Sequence, residues 1–449
     1  MRRLQDYKYL AMKTGLQLGY SPTMNLLLPR NHVVERRYEK TEDFIPFLLT
    51  PQYQESVKYD SFGQVVRRKK QIIGLTPDPI FMDFSQGGGI NLFVSPTGAG
   101  KTFAMRGMIG DLIDSGYVCF AIDVKNEFVS SLKPVQDKFK HLLPPWRRPK
   151  ALPIKPMFPT YLRKKNIPKE WIIQIDIKDM KVEDMLTALE LDPNNAQAQI
   201  LLTVWREESV PENIDKLIWR VSRVNASQIL AKLLPKGAKL KAFEDKTKST
   251  LIRKLIILKS QGIFGSHFPF DVVKLLQDGY FPVLCLNEDD RKKFYHSTYI
   301  AVLVRKIYEA SKRIGRRIVF IIEDAGSYAI PSKENPSCKD IILKQLIPLG
   351  RRRGLYILAA IQNLSQIPEE AVSQVKCFVF FGRVSGFDLE KIAKVRKMRY
   401  KPLREKMSEY AAYSELPNGM RGCVTWDENG KANFGFVPAP SSFHLEKDL

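Results

Sequence analysis

The sequence is poor in the residues that staple small folds or bind metals. Five cysteines (Cys119, Cys285, Cys338, Cys377 and Cys423) are scattered over 449 residues with no CxxC pair, and the five histidines form no HExxH or similar cluster. A disulfide framework and a structural zinc site are thereby disfavoured, and a reducing, cytoplasmic setting is expected. Long apolar runs are also missing. No stretch reaches the ~18 consecutive apolar residues of a membrane-spanning helix. The basic opening MRRLQDYKYLAMK has no sustained apolar segment, so a secretory signal is not expected. Helix-turn-helix and zinc-finger patterns are absent, which argues against sequence-specific reading of DNA. Acidic residues are in deficit, 48 Asp and Glu against 71 Lys and Arg, a formal net charge of +23. That excess predicts attraction to a polyanion, either nucleic acid or an anionic membrane surface.

At 44% hydrophobic and 27% charged residues the chain is globular and long enough to bury a sizeable core. Residues 1–75 read as a basic, irregular N-terminal region, with Arg67-Arg68-Lys69-Lys70 expected in a solvated loop. Beyond Pro79 the texture becomes α/β. Ile90–Val94 is a short apolar run expected as a buried strand, a glycine-bearing turn follows, and a helix is expected from Lys101 to about Ile113. Val118–Asp123 reads as a second buried strand. Strand, helix and strand with short connections make a βαβ unit and imply a parallel sheet.

Residues 131–170 carry eight prolines and a strong positive charge. Regular helix is excluded at that density, and an extended basic arm is expected, either a surface linker or a nucleic-acid contact beside Trp146, Arg147 and Arg148. Residues 180–279 are helical by period, with Pro211 expected early in a helix. Strands are expected again at Phe281–Leu286, Arg317–Ile322, Leu355–Gln362 and Cys377–Gly382. The organisation is therefore an α/β core over 76–130 and 281–449, split by a basic arm and helical insertion over 131–280.

Ser95-Pro96-Thr97-Gly98-Ala99-Gly100-Lys101-Thr102 carries the most chemistry. It lies between a predicted strand and a predicted helix, the setting a phosphate-binding P-loop requires. Gly98 and Gly100 let the backbone turn its N–H groups inward on phosphate, and the helix N-terminus adds partial positive charge. Lys101 would reach the β- and γ-phosphates of ATP and the Thr102 hydroxyl would ligate Mg²⁺. Ser95 stands where the general pattern has glycine. Glu323-Asp324 ends a later strand. Glu323 is assigned with Thr102 to the Mg²⁺ shell and Asp324 to orienting the attacking water, an order reversed from the usual Asp-Glu. Gln362, ending the next strand, would sense the γ-phosphate or position water. Of Arg351-Arg352-Arg353, one is expected either as an arginine finger for a neighbouring subunit or in a DNA-facing patch.

Together these motifs resemble the HerA–FtsK superfamily of ring-forming, DNA-pumping ATPases. The P-loop SPTGAGKT is similar to that superfamily's TGSGK-type loop. AIDVKNEF (Ala121–Phe128), with the acid–aromatic pair Glu127-Phe128, resembles its second strand. IIEDAG resembles its DEA-type acidic motif, and GRRRGLYILAAIQNLSQIP (Gly350–Pro368) its arginine, strand and glutamine series. FVPAPSSFH (Phe436–His444) resembles the proline-rich tail of HerA-like and conjugation-type members. The resemblance implies a RecA-like core and an ATP-driven translocase of double-stranded DNA working as a homo-oligomer, a hexamer, with Arg351 as the finger and Glu127 in the catalytic group. A nuclease, portal or secretion-complex partner is also implied. Two other readings stay open: a secretion-type ATPase moving proteins at a membrane complex, and a non-hydrolysing nucleotide-dependent scaffold, to which the reversed acidic pair points.

Overall fold

A computed structural model describes residues 7–8, 37–38, 44–59, 65–325 and 355–442. Short gaps lie at 85–87, 97, 138–139, 141–142, 145, 163–166, 208–209, 235, 238, 266–270, 287–292, 368, 383, 398–399, 402–403, 406, 408–421 and 439. Strands β1 (Tyr7–Lys8) and β2 (Arg37–Tyr38) form a small antiparallel pair. Among the described residues all other strands join one twelve-stranded sheet. In chain order they are β3 (Phe44–Tyr59), β4 (Val65–Asp83), β5 (Gly89–Val94), β6 (Val118–Asp123), β7 (Ile154–Pro159), β8 (Ile172–Ile173), β9 (Phe281–Cys285), β10 (Ile318–Ile322), β11 (Leu355–Ile361), β12 (Val375–Phe381), β13 (Gly422–Asp427) and β14 (Ala432–Phe436).

Across the sheet the order is β4-β3-β14-β13-β12-β5-β11-β10-β6-β9-β7-β8. From β12 to β8 every neighbouring pair is parallel. The β13, β14, β3 and β4 end is antiparallel. The fold is thus a mostly parallel, RecA-like α/β sheet.

The central strands are apolar on both faces because both are covered. Ile318, Phe320 and Ile322 of β10 join one core with Leu355, Ile357 and Ile361 of β11. The alternate residues Val319, Ile321, Tyr356 and Leu358 join the other. Helix α1 (Lys101–Asp114) covers the second face with Ala104, Met105, Met108, Ile109 and Leu112.

The first face is covered by a helical layer. It comprises α2 (Val182–Ala188), α3 (Ala196–Glu207), α4 (Ile214–Arg223), α5 (Ser227–Leu230), α6 (Leu240–Ser260), α7 (Val272–Gln277) and α8 (Lys293–Ile314). Two more helices, α9 (Glu369–Ser373) and α10 (Gly386–Arg396), flank β12 in sequence. No helix among the described residues is long and apolar enough to cross a membrane.

Three local expectations are corrected. Arg67-Arg68-Lys69-Lys70 lies inside β4, paired with β3 through Lys58↔Arg67, Val57↔Arg68, Ser56↔Lys69 and Glu55↔Lys70. Strand pairing is made by backbone N–H and C=O groups, so a run of cations does not argue against a strand there. Pro211 does not open a helix. α4 begins at Ile214, where Asn213 accepts the Lys216 backbone N–H at 2.8 Å and supplies the N-cap that proline cannot. The proline-rich arm is packed against the core. β7 pairs with β9, and Arg147, 7% exposed, donates from Nε and Nη2 to Asp111 of α1 at 3.0 and 2.8 Å and from Nη1 to the Pro438 carbonyl.

The Ser441 carbonyl in turn accepts from Val135 and Lys150, so the arm ties the C-terminal segment across α1. Removing one member of a buried ion pair leaves the other charge stranded, at a cost of ~3–5 kcal/mol. Arg147→Met is therefore expected to lower stability by about 3 kcal/mol in denaturant unfolding. A change below ~0.5 kcal/mol would mean the clasp carries no stability.

Candidate nucleotide site

The site lies beyond the C-terminal ends of the parallel strands, where open α/β sheets place their ligands. β5 ends at Val94, the chain turns through residues 95–100, and α1 starts at Lys101. Gly98 and Gly100 have φ of 79° and 100°, a region that side-chain-bearing residues rarely adopt. Ser95, 3% exposed, anchors the loop by donating its N–H to the Ile361 carbonyl at 3.2 Å. Lys101 Nζ folds back over the loop and donates to the Ser95 and Pro96 carbonyls, the latter at 2.9 Å, and to Ser95 Oγ at 3.3 Å. Serine in place of the usual glycine thus supplies a third oxygen for the lysine. Burial, and then the neighbouring Lys125, push the Lys101 ammonium down to about 8, against the pull of Asp324 and Glu323. Thr97 lies outside the described residues.

Strand order does the rest. β11 runs between β5 and β10, so Gln362 emerges between the P-loop and the acidic strand end. Glu323, 4% exposed, follows β10 and accepts a short hydrogen bond on Oε1 from Thr102 Oγ1 in the first turn of α1. Residues distant in sequence by 221 positions therefore meet at one point. Glu323 Oε2 is buried with no donor against it. Burial, and then Asp123, push the Glu323 carboxyl up to about 8. Asp324 adopts a left-handed φ of 49°, a strained turn that Asp tolerates better than most residues.

Asp123 is the residue that sequence reasoning left out of the site. It is fully buried at the end of β6 and accepts backbone N–H groups from Lys125 and Glu127 at 3.2 Å and from Phe128 at 2.8 Å. Burial raises its carboxyl, those hydrogen bonds notwithstanding. The loop wrapped around it brings Glu127 to α1, where Arg106 Nη2 donates to the Glu127 carbonyl at 2.7 Å and faces its carboxylate at 3.7 Å. Thr102 and Arg106 stand one helical turn apart, so one face of α1 reads both strand ends. Asp123 had a signal in sequence, an acid closing an otherwise apolar strand. Arg106, 1% exposed, had none, because the Glu127 carbonyl and carboxylate that it meets lie 21 residues further along the chain. Arg351 lies outside the described residues.

The donor set suits a magnesium ion that arrives with phosphate. Mg²⁺ takes one or two protein oxygens and fills its remaining positions with phosphate and water. Glu323, with an oxygen lacking any donor, and the Thr102 hydroxyl provide that minimum. Among the described residues no group of three or more His, Cys, Asp or Glu is arranged to hold a metal unaided.

A glycine-turned loop on a helix N-terminus, faced by a strand-end carboxylate on a RecA-like sheet, defines a P-loop nucleotide site. Comparison with known proteins narrows the class. The family model of the central domain of helicase HerA matches residues 93–318, just over half of the chain. The protein belongs to that family, within the HerA–FtsK type of P-loop ATPases. In overall fold it is similar to VirB4 of Thermoanaerobacter pseudethanolicus, with a TM-score of 0.52 at 10% identity over 90% of this chain and 98% of that one. The bacterial conjugative coupling protein TrwBdeltaN70 aligns with a TM-score of 0.45 at 12% identity, over 82% of this chain and 88% of that one. The DNA-packaging ATPase B204 of Sulfolobus Turreted Icosahedral Virus aligns at 0.35 and 10%, over 78% and 97%. No curated protein sequence matches the chain.

Proposed function

We propose that the protein hydrolyses ATP and uses the energy to translocate double-stranded DNA as a ring of identical subunits, a hexamer. The observation that carries the reading is the contact of Thr102 with Glu323 at the head of α1. It supports Thr102 and Glu323 as a magnesium-binding pair beside the phosphate loop, on a chain of the helicase HerA central-domain family.

In this reading the core of 76–130 and 281–449 is the motor. Residues 95–102 hold the phosphates, and Lys101 leaves its loop carbonyls for the β- and γ-phosphates. Thr102 and Glu323 hold Mg²⁺, which when bound offsets charge on the phosphate oxygens. Asp324 orients the attacking water, Gln362 follows the γ-phosphate, Glu127 completes the acidic group, and Arg351 reaches the neighbouring subunit's nucleotide. The charge of +23 suits a grip on the DNA backbone without regard to sequence. A nuclease, portal or secretion-complex partner would direct the motor.

The test is ATP hydrolysis by the purified protein alone, with duplex and with single strands, over a salt series and with Lys101→Ala as control. Duplex stimulation that fades with salt is expected. Hydrolysis indifferent to DNA overturns the translocase reading in favour of a motor acting on proteins. Nucleotide binding without hydrolysis favours a scaffold.

A further inference from the structure

Gln362 stands between two fixed points of backbone. The carbonyl before it, on Ile361, accepts the Ser95 N–H of the phosphate loop at 3.2 Å. Two residues after it, Leu364 is fully buried and opens a short 3-10 turn over Leu364–Gln366. Only Gln362 and Asn363 lie between these anchors, and Gln362 is exposed. Strand order dictates the path. β11 and β12 flank β5, so the connection between them passes the end of the strand that carries the P-loop.

Leu364 is held by α10 through both halves of its backbone. Its N–H donates to Asp388 Oδ1 at 2.7 Å, and its carbonyl accepts from Lys391 Nζ at 2.7 Å. The same lysine donates to the Ile367 carbonyl just past the turn. Asp388 and Lys391 are three residues apart, on one face of α10. α10 begins just beyond β12, whose Phe380 pairs with Val94 at the foot of the P-loop, so helix and loop share one edge of the sheet.

Asp388 is 4% exposed, and its Oδ2 accepts the Ser385 hydroxyl at 2.7 Å. Ser385 caps α10 by accepting the Asp388 N–H at 3.0 Å. In a capping box an acid at this position turns back onto the N-cap N–H. Here Oδ1 turns to another segment of the chain. Burial of the Leu364 side chain would by itself hold that segment against the core. Two charge-assisted hydrogen bonds, roughly twice as strong as neutral ones, also fix the direction in which its backbone runs.

We propose that Asp388 and Lys391 are positioning residues for Gln362. By holding Leu364, α10 sets where the Gln362 amide stands relative to the γ-phosphate of ATP. The proposal rests on the reading of Gln362 above as the residue that follows the γ-phosphate. A misplacement of about 1 Å in a reacting geometry costs on the order of 10²-fold in rate, so a tether two residues away is enough to matter.

The test measures turnover of Mg²⁺-ATP and affinity for a non-hydrolysable ATP analogue, with melting temperature as the check on folding. The variants are Gln362→Ala, Asp388→Ala, Asp388→Asn and Lys391→Met, the alanine and methionine changes each also combined with Gln362→Ala. Asp388→Ala is expected to lower kcat about tenfold and to leave analogue affinity within about twofold of wild type. Asparagine keeps an oxygen for the Leu364 N–H and is expected to restore kcat to within about threefold. Lys391→Met, at a partly exposed position, is expected to lower kcat with the same unchanged affinity, and it carries the test if Asp388→Ala does not fold. In the Gln362→Ala background neither change should slow turnover further, because residues that act as a unit are not additive. Additive losses overturn the proposal in favour of a purely structural role, as do Asp388→Ala and Lys391→Met chains with wild-type kcat. Gln362→Ala with wild-type kcat overturns the reading of Gln362, and the positioning role with it.

Discussion

Glu323→Gln is expected to reduce the proposed ATP hydrolysis by about 10²-fold or more while leaving nucleotide bound, and to make the nucleotide-free protein more stable at alkaline pH. The two effects share one cause. Glu323 is buried against Asp123, so its carboxyl titrates near 8 where an ordinary glutamate titrates near ~4.3. Between those values the folded chain holds a proton that the unfolded chain has released. Stability therefore falls as pH rises through that window. Glutamine keeps the shape and accepts the Thr102 hydroxyl but carries no charge to bury. The variant should match wild type near pH 5 and melt a few degrees higher near pH 8.5, roughly 2–4 °C for each kcal/mol relieved. Melting curves in EDTA at the two pH values, with turnover on Mg²⁺-ATP, measure both effects. Equal melting temperatures at pH 8.5 would show that the charge is already compensated. Retained turnover would remove Glu323 from the chemistry.

The parts legible in the sequence were those whose cause is local. A strand apolar on both faces reads as an unbroken run, and Val118–Asp123 was bounded to the residue. The P-loop was legible because φ above zero demands glycine and because strand and helix flank it. Topology gave meaning to Gln362, since only the sheet order places β11 between β5 and β10. What stayed hidden depends on partners far along the chain. Arg147 reads as a surface cation until Asp111, 36 residues earlier, is beside it. The strand over Arg67–Lys70 stayed hidden because it is held by backbone pairing with β3, which leaves no mark on a run of cations. Asp123 closes an apolar strand, but its contacts are to backbone N–H groups, so the run marks a strand end without tying it to the site.

Lys101→Ala is expected to weaken ATP binding by about 10- to 100-fold, the worth of a charge-assisted hydrogen bond or two. Its pH dependence tests the cause. Lys101 titrates at about 8 in the nucleotide-free chain because burial and Lys125 disfavour its charge. Phosphate, bearing the opposite charge, raises it on binding. Below 8 the ammonium is already charged and affinity should be flat. Above 8 the free protein must take up a proton to bind, and affinity should fall by up to about tenfold per pH unit until the raised value in the complex is reached. Titration of a non-hydrolysable ATP analogue in EDTA between pH 7 and 9.5 isolates this lysine from Glu323, whose demand runs the other way. Ionised Glu323 is needed for Mg²⁺, so magnesium-dependent binding should strengthen as pH rises toward 8. With magnesium present the two demands cross near pH 8, and binding should peak there. A Lys101→Ala chain that keeps the alkaline fall would assign it to another group, and a wild-type affinity flat to pH 9.5 would show that the ammonium is not depressed at all.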